Sequence, residues 1–149
     1  MPEIENSDVI KNVLKILINI SSRKTSKGYA FNTIDNIIKE LKDKYDFLKF
    51  VKINDTRFIE NEEPVSIMSN INTVNYLSMG NALNDIINTI HYSLGEQAGH
   101  FFIKELQRNI GGDYNSVIKE MGVDLGLMQL EKEVRDLDRV ITHKKESNE

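Results

Sequence analysis

The residues with the clearest chemical potential lie in one short stretch, TIHYSLGEQAGHFFIKEL at 89–106, which carries two of the chain's three histidines. A neutral imidazole can bind a metal or haem iron, and it can exchange a proton near neutral pH. The apolar periodicity around the stretch predicts a helix, in which each residue advances by about 100°. His91 and His100 are nine positions apart. On a straight helix they face opposite sides, so we expect two separate environments and no shared metal site.

The more specific candidate is a single face of this helix, which carries His91, Gly95, Gly99 and Phe102. Glycine inside a helix costs about 1 kcal/mol relative to alanine, so two glycines on one face need a reason. Their missing side chains predict a recess between an imidazole and an aromatic ring. We expect a small, largely apolar ligand there, with His91 as hydrogen-bond partner or axial ligand. Two alternatives stay open: a helix of the same domain that crosses closely over the glycines beside a buried histidine, and a dimer contact.

Local signatures of catalysis and metal binding are missing from the sequence. It has no Gly-rich phosphate loop, no H-E-x-x-H or G-x-S-x-G motif and no EF-hand loop. It also has no cysteine, which excludes disulfides and thiolate-bound zinc. A catalytic site assembled from distant residues leaves no local signature, so the question of an enzyme stays open. We favour a non-catalytic protein, with no predicted metal site and no identifiable cofactor.

The charge balance bears on partners and location. Lys and Arg number 19 and Asp and Glu number 23, for a net charge of −4 without a long block of one sign. Nucleic acid is therefore not an expected partner. The first residues, MPEIENSDVIKN, lack the positive charges of a signal peptide, and no apolar run approaches the roughly 20 residues that span a bilayer. We expect a cytoplasmic protein.

The elements that must position these residues are mostly helices. Apolar periodicity predicts an α+β protein, predominantly α-helical, with about five helices in a single domain over residues 1–149. Ser7 is the expected N-cap of the first helix, and Asn32 or Thr33 that of the second. The longest helix is expected over 73–109, either unbroken or with one break near 79–80. FLKFVKI and PVSIM predict a small β-hairpin within 47–68, and the tail at 143–149 is expected to fray.

A second functional candidate is a narrow apolar stripe near the C-terminus. Its members alternate spacings of three and four, the pattern of a coiled-coil seam, and are flanked by charged residues. One interpretation is a helix that packs on its own domain, and the other is a homodimer interface. The stripe comprises Leu127, Leu130, Val134, Leu137 and Ile141.

Part of the chain resembles known domain families. In LGEQAGHFFIKELQRNIGGDYNSVIKEMGVDLG, residues 94–126, a helix with spaced glycines and paired aromatics precedes a Gly-bearing turn and a Tyr-x-x-x-Ile-x-x-Met-Gly pattern. This resembles vinyl-reductase-type hydrocarbon-binding domains, and is similar to haem-nitric-oxide-binding and transport-particle subunit domains. The resemblance implies an α/β fold that holds an apolar, haem or lipid-like ligand beside such helices. For this chain it implies only that the face of Gly95 and Gly99 lines a pocket.

A shorter resemblance concerns His91 itself. The sequence His91-Tyr-Ser-Leu-Gly95 resembles the helix of histidine phosphotransfer domains, but Leu94 stands where those domains carry a lysine that steadies the phosphoryl group. Two functions follow from the sequence as hypotheses. The first is a regulatory or sensory module that binds a small apolar ligand and works as a homodimer. The second is an interaction or assembly subunit, without a ligand, whose helices dock on one another.

Overall fold

The first helix lies at the centre of the fold. The computed structural model describes residues 4–56 and 63–147, with side chains described as far as residue 137. α1 (Asn6–Lys24) packs against α2 (Lys27–Leu41) and against three later helices. Its buried residues recur every three or four positions, as a helix with one apolar face requires. Members of this face include Val9, Val13 and Leu17, all fully buried.

Both predicted N-caps were wrong, the first by two residues and the second by six or seven. The N-cap of α1 is Glu5, whose backbone N–H donates to the Asp8 carboxylate, and Ser7 already lies inside the helix. α2 begins earlier than its apolar pattern, because the Ser26 side chain accepts a hydrogen bond from the Tyr29 N–H at 3.2 Å. A polar cap can therefore start a helix before its first apolar residue.

The predicted β-hairpin is confirmed, although its first strand is shorter than expected. β1 (Val51–Ile53) and β2 (Val65–Ile67) pair antiparallel, with Val51 opposite Ile67 and Ile53 opposite Val65. The residues before β1 form a 3-10 helix (Asp46–Phe50) where an extended strand was predicted. A second 3-10 helix (Ser69–Thr73) follows β2 and leads into α3 (Tyr76–Leu94).

The long helix predicted over 73–109 was wrong, because the chain breaks at Gly95. α3 ends at Leu94 and is followed by a short 3-10 helix (Gly95–Ala98) and then by α4 (Phe102–Ile110). α3 continues without interruption through 79–80. The described residues thus contain six α-helices where about five were predicted, and the predominantly helical α+β class is confirmed. The last two are α5 (Gly112–Glu120) and α6 (Leu125–Ser147).

The buried apolar residues form one cluster, which draws on all six helices and on both strands. The core is built around α1 and α3, where fully buried residues include Leu14, Leu83 and Ile87. Among the residues of α6 whose side chains are described, Leu125 alone belongs to the buried part of the cluster, and Met128 packs against it. Residues 143–147 continue α6, and 148 and 149 lie outside the described residues, so the frayed tail stays a prediction.

Candidate functional site

The two glycines of the predicted recess have a different role from the one expected. Gly95 has a φ of 56° and Gly99 a φ of 79°, in the left-handed region where side-chain-bearing residues are strained. They end α3 and turn the chain into α4, so they do not lie on a helix face. A substitution at Gly99 therefore strains the backbone in addition to filling space. The break between α3 and α4 explains the position of both glycines, with or without a ligand.

The turn nevertheless opens a cleft against α6, which we call the α3–α6 cleft. Its volume is about 490 Å³, within the usual range of small-molecule sites. An adjoining depression of about 420 Å³ shares four of the same residues and adds the apolar side chains of Ile103 and Met128. The cleft is lined by His91, Tyr92, Gly95, Glu96, Gly99, His100, Lys132, Arg135 and Asp136.

His91 lies where the core meets this cleft. Its ring is half-buried and packs on the ring of Phe102, with centroids 5.4 Å apart and planes tilted by 53°. Its Nε2 contacts the Nζ of Lys132, which arrives from α6. Burial lowers the pKa of His91 below its usual range, and the nearby charges of Lys132 and Arg135 lower it further, while Asp136 opposes them. The imidazole is therefore held neutral under conditions in which an exposed histidine takes up a proton.

Lys132 is the second unusual group of the cleft. Its Nζ donates a hydrogen bond to the Gly99 carbonyl at 3.1 Å in addition to the contact with His91. Desolvation lowers the pKa of Lys132 from its ordinary value, and the charge of Lys24 on α1 lowers it further, against an opposing effect of Asp136. Both strong contacts of this ammonium group are with uncharged acceptors.

His100 reaches the same cleft from the other side of the turn, and this differs from the sequence expectation. The prediction placed the two histidines on opposite faces of one straight helix, and the break at Gly95 removes that geometry. The Nδ1 of His100 lies 2.9 Å from the Asp136 carboxylate, and its backbone carbonyl accepts a hydrogen bond from Gln129 at 3.0 Å. Within the described part of the chain, no group of three or more His, Cys, Asp or Glu could hold a metal ion.

Of the four residues predicted to bind a ligand, the structure brings three to the cleft wall. His91, Gly95 and Gly99 line it, whereas Phe102 is fully buried and supports the imidazole from behind. Sequence reasoning missed Lys132, which lies 41 residues beyond its contact His91. The cation that is absent at position 94 is therefore present in space beside His91. The ligand-binding role of the four predicted residues stays a prediction.

Beyond Leu125 and Met128, which pack on the core, the side of α6 that faces the body of the protein is polar. Gln129, only 6% exposed, donates to the His100 carbonyl, and its Oε1 accepts a hydrogen bond from the Lys104 N–H at 3.2 Å. Lys132 and Asp136 occupy the same side of the helix through the contacts already described. An amphipathic helix of a globular protein ordinarily buries its apolar face, so α6 is inverted.

The apolar stripe therefore faces away from the rest of the chain. The prediction left open whether the stripe packs on its own domain, and for the four residues with described side chains it does not. The side chain of Ile141 lies outside the described residues. The exposed fractions are 52% for Leu127, 55% for Leu130, 51% for Val134 and 58% for Leu137.

Comparison with known proteins identifies no relative of this chain. No family model matches the chain, and neither a curated protein nor a solved structure shows significant similarity to it. The resemblance of residues 94–126 to hydrocarbon-binding and related domains accordingly stays a prediction. In the part of the chain that the structure describes, no helix has both the length and the apolar character needed to cross a bilayer.

Proposed function

We propose that this protein is a non-catalytic assembly subunit that pairs with a second copy of itself through α6. The observation that carries the proposal is the inverted orientation of this helix, which leaves Leu127, Leu130, Val134 and Leu137 all more than half exposed. A contiguous apolar stripe on a protein surface marks an interaction site more often than scattered single residues do.

A second copy is the occupant that the pattern fits best. Alternating spacings of three and four place apolar side chains along one seam, which an identical helix can fill with its own side chains. α6 has 23 residues, so the helix extends for about 35 Å at 1.5 Å per residue. Its length is ample for two full heptads of contact.

The energetics favour a reversible dimer. Full burial of a Val or Leu side chain contributes roughly 1.5–3 kcal/mol, and each of the four described residues of the stripe has about half of that left to gain. Two copies then gain roughly 8 kcal/mol, against an association cost of roughly 4–15 kcal/mol. On these residues alone, the free energy gained by burying the stripe is close to the free energy cost of association. We therefore expect the dimer fraction to rise with protein concentration.

The test introduces charges into the stripe. Leu130→Glu together with Leu137→Glu should yield a monomer of 17.1 kDa by sedimentation or light scattering, where the parent protein shows twice that mass. Both residues are exposed, so circular dichroism should be unchanged. Leu77→Glu is the matched control, because Leu77 is a leucine of α3 that is 70% exposed and lies outside the stripe.

Two outcomes contradict the proposal. One is a parent protein that stays monomeric across the accessible concentration range. The other is a double variant that keeps the mass of the parent, since the apolar stripe then has no part in the association.

A further inference from the structure

We propose that the α3–α6 cleft binds a small anionic ligand, one with a phosphate or carboxylate head group, through Lys132 and Arg135. This site is independent of the pairing of α6, because its residues lie on the sides of the helix that face α3 and the Gly95–Ala98 turn.

Two cations in the cleft lack an ion-pair partner among the side chains that the structure describes. Among the described side chains, no Asp or Glu oxygen lies within 4.0 Å of the Lys132 ammonium or the Arg135 guanidinium. Asp136, adjacent to Arg135 in sequence, has its carboxylate paired with His100 at 2.9 Å. The carboxylate of Glu133, adjacent to Lys132, accepts a hydrogen bond from the Gln129 side chain at 3.1 Å. Two further carboxylates, those of Glu96 and Glu131, line the cleft or its adjoining depression but are solvent-exposed.

The position of Lys132 makes an incoming anion more favourable than it would be at an open surface. Its ammonium is partly desolvated and hydrogen-bonded to a carbonyl, and among the described side chains it has no carboxylate within ion-pair distance, although the charge of Asp136 acts on it from further away. Charge-assisted hydrogen bonds are about twice as strong as neutral ones, and attraction grows as water is excluded. Burial of the Lys132 ammonium costs free energy, and attraction to a bound anion would offset part of that cost.

The glycines supply the room that such a ligand needs. A side chain at Gly95 would meet nothing within 4 Å, and one at Gly99 would meet only the Nζ of Lys24 at 3.5 Å. The neighbouring Tyr92 is 87% exposed, and Ile103 and Met128 line the adjoining depression. We infer that the ligand carries a compact planar or apolar group beside its anionic head.

The lowered pKa values of His91 and Lys132 agree with this inference. Both reflect burial together with nearby positive charge, so a bound anion should raise them, and binding should be accompanied by proton uptake at His91. The charged and titratable groups that face His91 come from each element around it. They are Glu131, Lys132, Arg135 and Asp136 from α6, Glu96 and His100 from the segment between α3 and α4, and Tyr92 from α3 itself. Lys24 of α1 acts on Lys132.

The experiment follows the His91 ring by NMR during titration of the full chain in a buffer free of phosphate. Phenyl phosphate and benzoate are the anionic probes, and benzyl alcohol is their neutral counterpart. We expect saturable binding of an anion, a raised pKa of His91 in its presence and weaker binding at higher salt. The anion that binds with the higher affinity shows whether the site prefers a phosphate or a carboxylate head group.

Variants assign the effect to the cleft. Lys132→Met should weaken anion binding at least about tenfold, the equivalent of one charge-assisted hydrogen bond. Lys104→Met is the matched control, because Lys104 is an exposed lysine of α4 outside the cleft. Arg135→Gln changes an exposed residue and so tests the site even if removal of Lys132 disturbs folding.

The outcomes separate the possible errors. Binding of benzyl alcohol as tight as that of the anions would show a cleft that recognises apolar groups, and would overturn the anionic class. Anion binding that both cleft variants leave unchanged would overturn the site. No saturable binding of any probe would overturn both the ligand class and the cleft as a binding site, while leaving the pairing of α6 unaffected.

Discussion

At the scale of single residues, the contact between His91 and Lys132 is the feature that most needs explanation. Two groups that both carry positive charge at low pH lie in direct contact, and the contact persists because the imidazole is neutral. Phe102 fixes the ring from the other side. A neutral acceptor and an ammonium donor form a good hydrogen bond, whereas two cations at the same place repel.

This contact predicts a loss of stability at mildly acidic pH. The pKa of His91 is lowered in the folded protein, whereas the unfolded chain titrates near 6.5. As the pH falls below that value, the unfolded chain takes up a proton that the folded protein excludes. Stability should therefore fall until the pH has passed below the folded pKa, and should change no further on account of this residue.

Urea unfolding across this pH range measures the effect. His91→Gln removes the titrating group but keeps a polar side chain, so the free energy of unfolding of this variant should depend less on pH below 6.5 than that of the parent. The same substitution at the exposed His100 is the control. An equal pH dependence in the parent and in the His91 variant would show that His91 is not the responsible group.

The sequence could predict the part of the candidate site that is contiguous in the chain. His91, Gly95 and Gly99 lie within nine residues of one another, and all three reach the cleft. Lys132 and Arg135 could not be predicted, because they join the site only through the docking of a distant helix. In the sequence, a lysine and an arginine at these positions are equally consistent with the solvent-exposed side of a coiled-coil helix.

At the scale of secondary-structure elements, periodicity identified helices better than their ends or orientations. The 73–109 segment keeps a helical apolar pattern across Gly95, yet a positive φ at that glycine ends α3. A glycine that turns the chain and one tolerated inside a helix look alike in sequence. In α6 the apolar stripe correctly predicted a helix, but no local pattern states whether such a stripe faces inward or outward.

Gly80 is required because two elements pack closely at this position. It lies inside α3, and a Cβ built on it would be 1.8 Å from the backbone oxygen of Met121, just after α5. Gly80→Ala should therefore lower the free energy of unfolding by roughly 1–3 kcal/mol, because backbone must move. The intrinsic preference of a helix for alanine, about 1 kcal/mol, acts in the opposite direction and is smaller.

Gly112→Ala is the matched control for this measurement. Gly112 is the first residue of α5, and a Cβ there would meet nothing within 4 Å. Thermal or urea unfolding should show no loss of stability for this variant, or a gain of up to about 1 kcal/mol. If the two alanine variants unfold alike, the close approach of Met121 has no energetic consequence.

At the scale of the whole molecule, α6 serves two surfaces at once. Its outward stripe is apolar, and its inward side supplies Lys132 and Asp136 to the cleft. The fold achieves this because Leu125 and Met128 at the start of α6, together with polar contacts from Gln129 and Lys132, dock the helix without using the four described residues of the apolar stripe. Pairing with a second copy and binding of an anion would therefore use different sides of the same helix.

These two activities should respond in opposite directions to salt. In the heptad that begins at Leu127, Glu131 and Glu133 occupy the positions that flank the seam, so two copies of α6 bring like charges together. Each like-charge pair costs roughly 0.2–0.5 kcal/mol and is screened as ionic strength rises. The dimer should tighten by about twofold for each such pair, whereas anion binding at Lys132 should weaken because the same screening acts on an attraction.

Sedimentation and phenyl phosphate titration in one series of chloride buffers measure both effects on the same protein. The highest ionic strength should be near 1 M, where the Debye length is about 3 Å and exposed pairs no longer interact. Glu131→Gln should remove part of the salt dependence of the dimer. A dimer that dissociates as salt is added would indicate that opposite charges hold the copies together, which is incompatible with an apolar seam flanked by acidic residues.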